Sequence, residues 1–236
     1  QKVLPTLKHL AREERAAHHA PAPREEAPAE PHDAKSAEGK STDHAEPRSV
    51  ARSMAEFRPS VHGFAFVNSF SGSSLPVDLG GAVEKKLGLP NRYGLCGGMS
   101  AAAADFFLAG KAVPSDVKPP VRGSALYAYL YSRQAASLGP MGAMALKYAE
   151  WMQLSDEEVG KRTRDELPRI VEMVGRGDVV VLGLVLEGAK GAAWDNHQVL
   201  AYGVVERGGG VDVKVYDPNY PKRDDVVIRV IDDGRV

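Results

Sequence analysis

The residue best suited to covalent chemistry is Cys96, the only cysteine in this sequence of 236 residues. It follows a loop rich in Pro, Asn and Gly and precedes an alanine-rich segment of high helix propensity, which places it in the first turn of a helix. The partial positive charge and free N–H groups of a helix N-terminus favour a thiolate, the nucleophilic form of cysteine. The sequence therefore predicts that Cys96 is a nucleophile.

A cysteine nucleophile needs a base that takes its proton and a third group that orients the base. His197 is the only histidine in the second half of the chain, and it opens a predicted strand. Asp217 ends the next predicted strand. In an antiparallel hairpin the start of one strand lies beside the end of the next. The sequence therefore predicts that Asp217 orients His197 in a triad with Cys96.

The base and its orienting group each have an alternative. Asn219 is a rival for Asp217, because a neutral amide can also orient an imidazole, although a carboxylate stabilises an imidazolium better. His62 is the alternative base, but we expect it to be a surface residue that leads into a strand. The histidines upstream of residue 57 fit no metal-ligand spacing, so neither a metal nor another cofactor is expected.

The elements that must position these residues follow from the hydrophobic pattern. Periodicity and capping signals predict the cysteine helix, which ends near Gly110, and further helices over residues 124–137, 143–152 and 155–174, the last broken or kinked at Pro168. Apolar runs predict strands over residues 62–70, 178–186, 198–206, 211–216 and 226–231. The sequence therefore predicts an α+β fold in which the nucleophile helix packs against a C-terminal antiparallel sheet.

Composition divides the chain into an arm and a domain. Residues 1–57 are dominated by Ala, Pro and charged side chains, so a disordered or weakly helical arm and linker is predicted. Residues 58–236 form the predicted domain, which is long enough to bury a core without disulfides. A formal net charge of −1 gives no basic field for nucleic acid. No stretch reaches the roughly 20 apolar residues that a membrane span needs.

The order Cys96, His197 and Asp217, with helices before an antiparallel sheet, resembles the papain-like cysteine peptidase superfamily. The pieces His-Gln-Val-Leu-Ala-Tyr-Gly and Tyr-Asp-Pro are similar to those of bacteriocin-processing peptidases and their bacterial relatives. The resemblance covers residues 64–231. It implies a papain-like fold in which Cys96 is the nucleophile, His197 the base and Asp217 the orienting partner.

The sequence departs from this superfamily at the oxyanion donor. A Gln commonly stands a few residues before the cysteine, whereas here Asn91 is the nearest upstream amide and is preferred over Asn68. The backbone N–H of Cys96 is a third donor that needs no side chain. Gly97 and Gly98 each cost about 1 kcal/mol relative to Ala in a helix. We therefore expect these glycines to leave room for a substrate backbone.

The resemblance implies a thiol hydrolase that cleaves peptide or amide bonds through an acyl-thioester intermediate on Cys96. Transfer of the acyl group from this intermediate to an amine describes an acyltransferase or a transglutaminase. Loss of ammonia from glutamine through the same intermediate describes a deamidase. A papain-like binding module without turnover is the alternative from another class, and the absent Gln favours it. The expected partner is a protein or peptide substrate, and the arm is expected to dock to a partner or carrier.

Overall fold

The described part of the chain combines α-helices with an antiparallel sheet, so the predicted α+β class is confirmed. The structure is a computed structural model that describes residues 2–4, 53–72, 92–139, 142–185 and 196–231. Three short strands lie early in these ranges, and the other strands follow the helices along the chain. Apart from the strand at residues 2–4, which also joins the main sheet, the helical part precedes that sheet, as the sequence predicts.

The elements lie close to their predicted positions. Within the described residues the helices are α1 (Pro59–His62), α2 (Cys96–Leu108), α3 (Ala125–Ser137), α4 (Ala143–Trp151) and α5 (Asp156–Gly175), with a 3₁₀ turn at Met54–Glu56. The strands are β1 (Lys2–Leu4), β2 (Phe70–Ser71), β3 (Arg92–Tyr93), β4 (Val180–Val185), β5 (His197–Arg207), β6 (Gly210–Tyr216) and β7 (Val227–Ile231). The predicted capping box at Ser155 and Glu158 is present at the start of α5.

The main sheet has the strand order β1-β4-β5-β6-β7, and all its strand pairs are antiparallel. Strands β5 and β6 form a hairpin through residues 207–210, as predicted. Leu184 of β4 pairs with His197 of β5, and Leu200 of β5 pairs with Tyr216 of β6. The start of β5 therefore lies at the same edge of the sheet as the ends of β4 and β6.

The sheet is covered on both faces, which explains the continuous apolar sequence of β4. All residues of β4 are buried. Leu182 belongs to a core cluster that includes Ile170 and Val174 of α5, whereas Val181 belongs to the cluster beneath α2. A strand that is buried on both faces has no polar face and therefore shows no alternation.

The cysteine helix α2 is buried along most of its length, which explains its run of small residues. A Cβ atom on Gly98 would collide with the carbonyl oxygen of Leu130 in α3, and one on Gly97 would collide with the side-chain oxygen of Gln198 in β5. Both glycines thus face protein. The space left by the two missing side chains is filled by the neighbouring helix and strand, and the approach of a substrate to the backbone of this turn stays a prediction.

The predicted strand over residues 62–70 is wrong. Residues 59–62 form the short helix α1, and the chain is irregular until it pairs at Phe70 and Ser71. Phe64 and Phe66 are both buried in the core beneath α2, with their ring centroids 5.2 Å apart. Aromatic residues at alternate positions therefore enter one core here without forming a ladder of strand hydrogen bonds.

Of the two outcomes predicted at Pro168, the break is wrong, because α5 continues through this proline to Gly175, and the kink stays a prediction. The helix buries Val159 before the proline and Ile170 and Val174 after it. Burial of apolar side chains on both sides offsets the cost of an interior proline, which is about 3 kcal/mol.

The core of the domain includes residues that precede the predicted boundary between residues 57 and 58. Met54 and Phe57 are buried in the core cluster beneath α2. Within the predicted arm, Lys2–Leu4 is extended and pairs with β4, so this segment is not helical. Residues 5–52 lie outside the described residues.

We expect Gly98→Ala to lower the free energy of unfolding by about 1–3 kcal/mol, because the added methyl group forces α2 and α3 apart. Urea denaturation followed by circular dichroism measures this change. Gly175→Ala is the matched control, because no atom lies within 4 Å of the position its Cβ would take. The control should leave stability unchanged or raise it by about 0.5 kcal/mol. Equal effects of the two substitutions would contradict the packing role of Gly98.

Candidate active site

Cys96 is the first residue of α2, as predicted, and its side chain is partly exposed. Leu95, the N-cap residue, has no capping side chain, but its own N–H donates to Asn68 Oδ1 at 2.6 Å. The Gly98 N–H donates to Gln134 Oε1 at 2.9 Å. Among the described residues, the N–H of Cys96 between them has no hydrogen-bond partner. This N–H is therefore an available donor at the partly positive end of the helix.

His197 and Asp217 meet at the sheet edge where β5 starts and β6 ends. His197 Nε2 lies 2.7 Å from Asp217 Oδ1, and each residue is 7% exposed. Asp217 Oδ1 also accepts the Asn219 N–H at 2.8 Å. Because a carboxylate only accepts hydrogen bonds, the contact places a proton on Nε2. Nδ1 is the ring nitrogen that is left for another partner.

Cys96 lies near the imidazole of His197, since it is one of the groups that raise the pKa of this ring. Burial lowers the pKa of His197, but the hydrogen bond to Asp217, the interaction with Cys96 and the negative charges of these groups outweigh burial and raise this pKa to about 9. The ring is therefore a cation at neutral pH, and a cation beside a thiol favours the thiolate. The structure thus brings together the three residues that the sequence predicts as a triad.

Asn219 and Asn68 extend this site, whereas Asn91 lies outside the described residues. Asn219 Nδ2 lies 3.3 Å from His197 Nε2, and Asn219 Oδ1 accepts from Asn68 Nδ2 at 3.2 Å. Asn219 therefore presents its amino group to the ring, and an amino group cannot accept the Nε2 proton. The geometry favours Asp217 over Asn219 as the acceptor that orients the imidazole.

His62, the alternative base, is not the surface residue that the sequence predicts. It ends α1 and is partly buried, with its ring centroid 4.7 Å from that of Phe107 and 5.4 Å from that of Phe57. Its Nδ1 accepts the Arg58 N–H at 2.9 Å. His62 is thus engaged in capping a short helix and in packing against aromatic rings.

A buried polar cluster behind the cysteine turn was not found from the sequence. Gln198 Oε1 accepts from Ser137 Oγ at 2.9 Å and from Gln134 Nε2 at 3.3 Å. Gln134 in turn accepts the Gly98 N–H. Burial and, next, the negative charge of Cys96 raise the pKa of the Tyr148 phenol. The effect of this charge indicates that Tyr148 lies near Cys96. The available signal was Gln198 itself, a polar residue within an apolar strand.

The described ranges contain no cluster of His, Cys, Asp or Glu side chains that could hold a metal ion. Within the same ranges, no helix combines the length and apolar character that crossing a membrane requires. No protein-family model, curated protein or solved structure matches the chain. The chemistry of the site therefore carries the functional argument.

The raised pKa of His197 predicts that stability falls as the pH rises through the interval between the unfolded and folded values. Histidine titrates near 6.5 when unperturbed and near 9 here, so between these values the His197 ring, taken by itself, binds more protons in the folded state than in the unfolded state. The stabilising contribution is complete below about pH 6.5 and is lost as the pH passes about 9, a loss of up to about 3 kcal/mol.

Urea denaturation at the two ends of this interval measures the loss of stability. His197→Gln is the control, because it removes the titrating ring while it retains a polar side chain. The variant should lose less stability than the wild type over the interval. The same loss in both proteins would contradict the assignment of the raised pKa to His197.

Proposed function

We propose that this protein is a papain-like thiol hydrolase that cleaves peptide or amide bonds through a triad of Cys96, His197 and Asp217. The observation that carries the proposal is the buried imidazole of His197, which is hydrogen-bonded to Asp217 at 2.7 Å and has Cys96 near enough to raise its pKa. These three side chains come from a helix start and from two strand ends that are distant in sequence. A nucleophile, its base and the group that orients the base are the parts that acyl transfer requires.

In the proposed resting state the proton of the Cys96 thiol resides on His197. The raised pKa of His197 supports this state, because the ring holds a proton at neutral pH. Asp217 accepts the Nε2–H, stabilises the imidazolium and keeps Nδ1 directed at the sulfur. The thiolate is then the attacking nucleophile without any further proton transfer.

In the first half of the reaction the Cys96 sulfur forms a bond to the substrate carbonyl carbon, and the carbonyl electron pair moves to oxygen. The free N–H of Cys96 donates to this oxyanion at the positive end of α2. The oxyanion then collapses, the bond from carbon to nitrogen breaks, and the leaving amine takes the Nδ1 proton of His197. The products are a free amine, a neutral imidazole and an acyl-thioester on Cys96.

In the second half of the reaction the neutral His197 takes a proton from water while the hydroxide oxygen bonds to the thioester carbon. Collapse of this second oxyanion breaks the bond from carbon to sulfur. A carboxylic acid leaves, and the pair of thiolate and imidazolium is restored. The site uses the same base, the same orienting carboxylate and the same N–H donor in both halves.

The order of elements also supports a papain-like fold. The nucleophile begins a helix that packs on an antiparallel sheet, and the base and its partner follow on adjoining strands of that sheet. The same geometry fits transfer of the acyl group to an amine and deamidation, so the fate of the acyl group is read from the reaction products.

We expect iodoacetamide to alkylate Cys96 rapidly at neutral pH and His197→Ala to slow this reaction by about thirtyfold. The estimate compares a full thiolate with the roughly 3% ionised fraction of an unperturbed thiol at pH 7. Mass spectrometry of the intact protein over time measures the rate. Since this chain has one cysteine, each added carbamidomethyl group reports on Cys96 alone.

His62→Ala is the matched control for that experiment, because it removes the other histidine of the folded part without touching the site. It should leave the alkylation rate unchanged once folding is verified. Alkylation of His197→Ala at the wild-type rate would refute the base assignment.

Incubation with a peptide library, with mass readout, tests the reaction itself. Cleavage by the wild type that Cys96→Ser abolishes is the expected result. A mass gain from a coupled amine would redirect the assignment to acyltransferase, and the small mass increase of deamidation would redirect it to deamidase. Rapid alkylation without any change in the library would favour a binding module.

A further inference from the structure

Asn68 connects the two halves of the candidate site. Its backbone N–H donates to the carbonyl oxygen of Pro218 at 3.0 Å. Its side-chain Oδ1 accepts the Leu95 N–H at 2.6 Å, and its Nδ2 donates to Asn219 Oδ1 at 3.2 Å. A Cβ on Gly94 would lie only 2.7 Å from Nδ2, so this glycine leaves the space that the amide needs. Asn68 therefore ties the cysteine turn to the turn that follows β6.

The main-chain N–H of Leu95 fixes the donor and acceptor order of this series of hydrogen bonds. The Leu95 N–H is a donor, so Asn68 must turn Oδ1 towards it and Nδ2 away from it. Nδ2 only donates, so the Asn219 atom that faces it must be Oδ1. Asn219 Nδ2 is then left facing His197 Nε2 at 3.3 Å.

This orientation sets an N–H group against a ring nitrogen that already carries a proton. His197 Nε2 donates to Asp217 Oδ1 at 2.7 Å and has no lone pair to offer to Asn219. The positive end of an N–H dipole beside the ring disfavours the imidazolium. If Asn219 were free to turn its amide over, it would present Oδ1 to the ring and share the Nε2–H with Asp217.

We propose that Asn68 is a positioning residue that acts through Asn219, whose amide it holds so that the Nε2–H of His197 is left to Asp217 alone. The inference rests on the proposed function, because it concerns the proton that His197 gives to the leaving group. A general acid works best when its proton affinity is not too high for the working pH. By holding Asn219 in place, Asn68 limits the proton affinity that Asp217 and Cys96 confer on the ring.

The test is an NMR titration of the His197 ring, identified by the signal that His197→Gln removes. Asn68→Leu frees the Asn219 amide to turn, so the pKa of His197 should rise by about one unit in that variant. In the Asn219→Ala background Asn68→Leu should leave the pKa unchanged, because there is no amide left to turn. The titratable groups that face the ring, Cys96 and Asp217, are retained in every variant.

No rise in the pKa on Asn68→Leu, or an equal rise in both backgrounds, would overturn the inference. If Asn68 instead donated directly to the oxyanion, turnover would fall while the titration stayed as in the wild type, and that result also overturns it. If Asn68→Leu does not fold, Asn68→Asp retains the acceptor for the Leu95 N–H. The added negative charge raises the pKa of His197 whether residue 219 is Asn or Ala. Only a larger rise of this pKa with Asn219 present therefore supports the inference.

The titration is independent of the reaction that the protein catalyses. If the wild type cleaves no peptide but the pKa shifts as expected, then Asn68 positions Asn219 and the proposed function is wrong. If Cys96-dependent cleavage is seen but the pKa does not shift, the proposed function stands and the role given to Asn68 is wrong.

Discussion

The hydrogen bond between His197 and Asp217 depends on the register of β5 against its neighbours. Leu184 lies opposite His197 on one side, and Tyr216 lies opposite Leu200 on the other. A slip of one residue would turn every side chain of a strand to the opposite face, so it would separate the imidazole from the carboxylate. Because both faces of the sheet are buried, the same slip would also disrupt the two core clusters. The apolar packing that stabilises the sheet therefore also fixes the geometry of the site.

A second constraint is the distance between the cysteine helix and the sheet, which small residues set. Gly97 lies directly against the side chain of Gln198, the residue after the base, and Gly98 lies against the backbone of α3. Any side chain at either position would push α2 away from the strand or from its neighbouring helix. The approach of Cys96 to His197 thus depends on close packing at the next two positions of the helix, in the protein interior.

The elements and the three candidate chemical residues could be predicted because local signals specify them. Capping residues, glycines and apolar runs mark α2 to α5 and β4 to β7, and hairpin topology alone brings His197 beside Asp217. The segment before Phe70 could not be predicted, because Phe64 and Phe66 alternate as in a strand but pack into one core. The role of Asn68 was also hidden, since Leu95 and Asn219 are distant from it in sequence. Catalysis itself and the role of the arm stay predictions.

The first turn of α2 is held from two sides by side-chain amides, and this arrangement costs stability. Asn68 holds the Leu95 N–H and Gln134 holds the Gly98 N–H, while Gln134 is itself fixed by Gln198. Among the described residues Gln198 Nε2 lacks a partner, and a buried unpaired donor costs roughly 1–3 kcal/mol. An apolar residue in β5 would avoid that cost but would release Gln134. The cluster is therefore better explained by the rigid turn that it creates, in which the N–H of Cys96 has no partner among the described residues and is available to an oxyanion.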